Sequence, residues 1–130
     1  MEMVKTYKTT ALVKGQVKKV VITVEKDIDY LDRFDITPGL GRQIERGEVE
    51  VSAIKVTARF ERLNLFSGMD YIIQVLSKSK KDLLTQIIQN GMENNAVREL
   101  VANVLDGEKA IKAFLTKPKH LKERLCRKKK

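Results

Sequence analysis

One stretch constrains the fold of this chain more than any other: residues 48–60, EVEVSAIKVTARF, with apolar and polar positions alternating as in a half-buried strand. Val49, Val51 and Ala53 share one parity, and Ile54, Val56, Ala58 and Phe60 share the next. Strand side chains repeat every two residues, so the change of phase predicts an inserted residue, a β-bulge, near Ala53–Ile54. A long, bent central strand is expected here.

Two β-favouring runs precede it, residues 6–13 and 17–25, separated by Lys14-Gly15-Gln16, and a glycine loop between such runs predicts a hairpin. Val20, Ile22 and Val24 are expected to face the core, and in the first run the Tyr7, Thr9, Ala11 and Val13 set is expected inward rather than Thr6, Lys8, Thr10 and Leu12. Residues 27–34 carry Ile28, Leu31 and Phe34 at helical spacing and predict one or two helical turns. Residues 37–41, TPGLG, read as a break before a short helix over 42–46 that Gly47 stops.

After Asn64 the periodicity becomes helical. Ser67 is an expected N-cap for a helix that buries Met69, Ile72, Ile73 and Leu76. Ser79 and Asp82 have capping-box spacing for a second helix with Leu83, Leu84, Ile87 and Ile88 inward, ended by Gly91. A third, capped at Asn94 or Asn95, carries Val97, Leu100, Val101, Val104 and Leu105, and Asp106-Gly107 is expected to break it. A fourth, through Ile111, Phe114 and Leu115, should stop before Pro118. The expected fold class is therefore α+β: a small antiparallel sheet of about three strands in the N-terminal half, packed against a C-terminal layer of three to four helices. Residues 1–116 read as a single domain, with a β-rich half over 1–66 and a helical half over 67–116.

Charge is uneven along the chain. Residues 117–130 hold eight Lys or Arg and one Glu, so they carry +7 of the net +9, and the first 116 residues are near neutral at +2. Such an asymmetric basic tail is a mark of nucleic-acid or acidic-surface binding; the plain alternative is that it maintains solubility. Lys117, Lys119, Lys122, Arg124, Arg127, Lys128, Lys129 and Lys130 are the expected phosphate contacts. Leu121 and Leu125 would share one helical face, a pattern equally suited to an anionic lipid or an acidic partner. The tail has no aromatic residue for base stacking.

Two further leads point the same way. Residues 86–101, QIIQNGMENNAVRELV, resemble a helix-turn-helix pattern, with Gly91 in the turn and Asn94, Asn95 and Arg98 facing outward. Ile87 stands where a small residue is usual, and a plain αα-hairpin explains the spacing too. On the central strand, Lys55, Thr57 and Arg59 point away from the core, and Lys19 and Thr23 are expected to join them, giving a basic, Thr-rich platform or an ordinary solvated face.

Catalytic machinery is hard to assemble. The single His120 and single Cys126 lie in the basic tail, and a metal site or acid–base pair needs partners that neither has nearby. The pairs Asp27/Asp29 and Asp32/Asp35 match nuclease carboxylates only by proximity, and residues 37–42 offer glycine amides and Arg42 without the P-loop Lys-Ser/Thr. One cysteine fits a reducing, cytoplasmic setting; the first residues show no apolar leader, and no apolar run approaches a membrane span. The expectation is a non-enzymatic, cytoplasmic accessory protein without cofactor or metal that associates with DNA or RNA. The competing expectation is a protein–protein adaptor or inhibitor acting through its helical layer.

Overall fold

The computed structural model describes residues 1–29 and 36–116. Among them the element order is β1 (Glu2–Val13), β2 (Gln16–Ile28), α1 (Pro38–Glu45), β3 (Glu50–Phe60), β4 (Leu63–Ser77), α2 (Lys80–Gln89) and α3 (Met92–Thr116). The arrangement is α+β, with four antiparallel strands in the order β1-β2-β3-β4, where the sequence predicted about three. Lys14 and Gly15 both take left-handed backbone angles, φ 50° and 77°, which matches a two-residue hairpin to the right-handed twist of its strands. The two sets predicted inward share a face: Tyr7 stands opposite Ile22 and Thr9 opposite Val20.

The largest correction concerns residues 67–77, predicted as a helix and found as most of β4. Ile54 pairs with Ile72, yet Ser52 pairs with Val75, so β4 holds one residue more than β3 over this interval. Within the bulge Gln74 has φ 56°. The bulge resets the alternation, so Ile72 and Val75, three apart, both point towards the helices. The expected buried face of Met69, Ile72, Ile73 and Leu76 does not form: only Ile72 packs against the core, and Met69, Ile73 and Leu76 are exposed. The Tyr71-Ile72-Ile73 run, aromatic and β-branched, already favoured extended backbone. The predicted start of the helical half at residue 67 therefore moves to α2, after Ser77.

The bulge expected in β3 is accordingly absent from β3. Its ladder with β2 runs without interruption from Ser52–Ile28 to Phe60–Val20. The phase change has another cause: the start of β3 is buried on both faces. Ser52 and Ile54 face the helices, while Val51 and Ala53 are buried on the other side, outside the main core cluster. The extra residue lies in β4, where Asp29 Oδ2 accepts a 2.6 Å hydrogen bond from the Gln74 amide.

The helical layer holds α2 and α3. Ser79 Oγ accepts the Asp82 amide at 3.1 Å, as the spacing predicted. The Asp82 carboxylate accepts at 2.8 Å the amide of Lys78, one residue before the N-cap, where a capping box takes the amide of the N-cap itself. Gly91, φ 64°, follows the C-cap of α2 as expected. Its carbonyl accepts the Asn95 amide, so α3 starts at Met92 rather than at Asn94 or Asn95. The predicted third and fourth helices are one continuous helix. Gly107 does not break it because the Phe66 ring occupies the place of a side chain there. Residues 37–41, expected as a break, include the start of α1: Thr37 caps it and Pro38 sits in its first turn, where proline needs no amide partner. The turn predicted across 27–34 lies partly in β2, through Ile28, and otherwise at 30–35, outside the described residues.

The core lies between the sheet and this layer. Val20, Ile22, Val24, Ile54, Val56 and Ala58 are fully buried against Leu83, Ile87, Met92, Ala96 and Leu100. Each aliphatic side chain so removed from water contributes about 1.5–3 kcal/mol before entropy is subtracted. Gly68 lets α3 approach closely: a Cβ there would overlap the Ala96 carbonyl oxygen and the Leu100 backbone.

Candidate nucleic-acid interface

With α2 and α3 on one face, the other face presents its side chains in cross-strand rows. One row is Lys8, Val21 and Arg59; the next is Thr6, Thr23, Thr57 and Met69; a third is Glu25, Lys55 and Tyr71. Lys19 extends the same parity of β2 beyond Val21. Lys55 and Arg59, together with Lys19 and Thr23, therefore lie on one surface, in the arrangement the strand parity predicted. Arg59, Lys8 and Lys19 are exposed, Lys55 is half-buried, and Thr23 is buried between its neighbours.

The face also carries two residues of the segment expected to be a helix, of which Met69 was expected inward. Tyr71 is 49% exposed and stands directly across from Lys55; Met69, beside it on β4, is 42% exposed. A half-exposed aromatic ring next to a cation is a standard pairing for stacking a base and holding its phosphate. The signal that would have found Tyr71 is the β-propensity of residues 71–73, which the apparent helical spacing masked.

Acidic residues temper the charge. Glu25 and Asp27 share the face, and Glu61 borders it. Lys8 Nζ lies 3.2 Å from Glu61 Oε1. That hydrogen bond, then the charges of Lys8, Lys19 and Arg62, hold the Glu61 carboxyl below its ordinary range. Lys19, Lys55 and Arg59 form no salt bridge among the described residues.

The remaining predicted contacts are elsewhere. Asn94, Asn95 and Arg98 lie near the start of α3, on the opposite side of the sheet from Lys55 and Arg59. Asn94 and Arg98 are exposed, while Asn95 Nδ2 donates to Asp70 Oδ2 at 3.0 Å and ties the helix to β4. Only Asn90 and Gly91 separate α2 from α3, fewer than the three or four residues of a helix-turn-helix. Lys117, Lys119, Lys122, Arg124, Arg127 and Lys128, Lys129 and Lys130 lie outside the described residues, as do His120, Cys126, Asp32 and Asp35. Among the described residues no group of three His, Cys, Asp or Glu side chains is placed to hold a metal ion, and no helix is long and apolar enough to cross a membrane. Asp29 is engaged with the Gln74 amide, and the glycines of 37–42 are taken into α1. Comparison with protein families, with curated proteins and with solved structures yields no match.

Proposed function

We propose that this protein associates with single-stranded nucleic acid through the sheet face turned away from α2 and α3. The observation that carries the reading is Tyr71, half exposed and paired across the sheet with Lys55. Arg59 and Lys19 supply further phosphate contacts and Met69 a second apolar platform, while residues 117–130, at +7, add affinity without sequence preference. Asn94 and Arg98, across the sheet, belong to a separate surface and are not needed for this contact.

Fluorescence anisotropy of the full chain with single-stranded DNA, single-stranded RNA and duplex DNA at two salt concentrations tests it. Single strands should bind more tightly than duplex. Tyr71→Ala should cost about 1–3 kcal/mol of binding if a base stacks there. Lys55→Ala with Arg59→Ala should flatten the salt dependence by about 1.4, at roughly 0.7 per phosphate lost from a single strand. Changing Lys128, Lys129 and Lys130 to Gln reports the tail separately. No salt-sensitive binding, or binding indifferent to Tyr71, Lys55 and Arg59, refutes the reading.

A second reading, an adaptor acting through the helical layer, is favoured by one observation. Ile111, Phe114 and Leu115 form a row near the end of α3 and are 56%, 75% and 63% exposed. Replacing all three with Ser should leave nucleic-acid binding unchanged if the sheet face is the site.

A further inference from the structure

β2 outruns β3. The last β2–β3 pair is Val20–Phe60, and beyond the 3.0 Å bond from the Glu61 amide to the Lys19 carbonyl, β2 continues paired only with β1. The β1–β2 hairpin thus projects past the β3–β4 turn and leaves a notch between the two, with Val104 of α3 at its base. The notch is a cleft of about 420 Å³, within the range of small-ligand sites.

Its chemistry is divided. Val13, Phe60, Leu63 and Val104 make an apolar interior, and Lys18, Lys19 and Arg62 stand around it. None of these three cations forms a salt bridge among the described residues. The one acidic lining residue, Glu61, is engaged by Lys8. An apolar hollow bordered by three cations against one carboxylate suits a flat apolar ring that carries an anionic group. The cleft meets the proposed platform at Lys19, two residues along β2 from Val21, the partner of Arg59, a step of about 6.8 Å. Val13, Lys18 and Phe60 have the parity of the helix side, so the notch leads from one side of the sheet to the other.

Resting on the reading above, we infer that this cleft takes one nucleotide of the bound strand, its base against Phe60, Leu63 and Val104 and its phosphate on Lys19 and Arg62. The base turns off the sheet face at this point, so the cleft fixes the register of a strand that the platform otherwise holds loosely.

The probe is adenosine 5′-monophosphate, titrated into the full chain while the methyl resonances of Val13, Leu63 and Val104 are followed by NMR, with inorganic phosphate in parallel. The nucleotide should shift these methyls and phosphate should not. Arg62→Ala should weaken nucleotide binding about tenfold, consistent with loss of a charge-assisted contact. Val104→Phe, which fills the hollow, should abolish it while leaving oligonucleotide affinity within about tenfold of wild type, because the platform contacts remain. If Val104→Phe fails to fold, Leu63→Glu, which sets a charge on the partly exposed part of the apolar lining, should give the same loss. Methyls unmoved by the nucleotide while an oligonucleotide binds overturn the cleft and leave the platform standing. Equal shifts with phosphate alone overturn the base-binding role. Absence of both nucleotide and oligonucleotide binding overturns the cleft and the platform together.

Discussion

Gly68→Ala is the sharpest test of how the helical layer meets the sheet. An added methyl would fall on the Ala96 carbonyl oxygen and the Leu100 amide of α3, and 2.9 Å from the Leu100 Cα. Ordinary carbon contacts are about 3.5–4.0 Å, so α3 must withdraw. Backbone atoms cannot swing aside as a side chain can, and withdrawal loosens Met92, Ala96 and Leu100, all essentially buried. Overpacking of this kind costs about 1–3 kcal/mol, and a backbone obstruction belongs at the upper end. Against it stands the gain of about 0.4–1 kcal/mol from stiffening the unfolded chain, fully available because Gly68 is not in a left-handed conformation. The net expectation is a loss of about 2 kcal/mol, or about 8 °C in Tm for a chain of this size. Urea denaturation monitored by circular dichroism measures it. An unchanged or higher midpoint would refute the close approach. Gly107→Ala is the internal control: its methyl meets the edge of the half-buried Phe66 ring, which can turn away. The helix also gains about 1 kcal/mol in propensity, so this variant should stay within about 1 kcal/mol of wild type.

Three other outcomes follow from single features. Ser52 is fully buried and its hydroxyl has no hydrogen-bond partner among the described residues, so Ser52→Ala should stabilise the protein by about 0.5–1 kcal/mol in the same denaturation assay. Gln74→Gly should be more stable than Gln74→Ala by about 1 kcal/mol, because both remove the side chain and only glycine relieves the left-handed backbone at the β4 bulge; equal midpoints would refute that strain. Hydrogen bonds from Lys8 to Glu61, and from Lys14 and Lys112 to Glu108, hold both carboxyls below their ordinary range. Their contribution is present above the unfolded-state value of about 4.3 and disappears as pH falls through the lower folded-state values, so a pH series of urea midpoints should decline on acidification below that point. Replacing both glutamates with Gln should make the decline shallower.

The strands β1, β2 and β3, the inward parity of Val20, Ile22 and Val24, the Ser79 cap and the left-handed Gly91 were legible in the sequence because each depends on neighbours within a few positions. So was the placement of Lys55, Thr57 and Arg59 on one surface, which strand parity dictates. Where local pattern was ambiguous, it misled. The spacing of Met69, Ile72, Ile73 and Leu76 imitated a helical face on what is a strand, and it hid Tyr71, on which the proposed contact rests. Asp106-Gly107 read as a break because glycine is a poor helix former, yet Phe66, forty-one positions earlier, fills the space.

By itself, then, the sequence determined the α+β class, the hairpin, the two ends of α2 and the concentration of positive charge at 117–130. The tertiary structure alone decided the fate of 48–60: its change of phase marks a strand buried on both sides at one end, with the inserted residue in its neighbour. Which face a helix covers, and which strand absorbs a bulge, depend on contacts between residues distant in the chain. Periodicity within one segment cannot encode that choice.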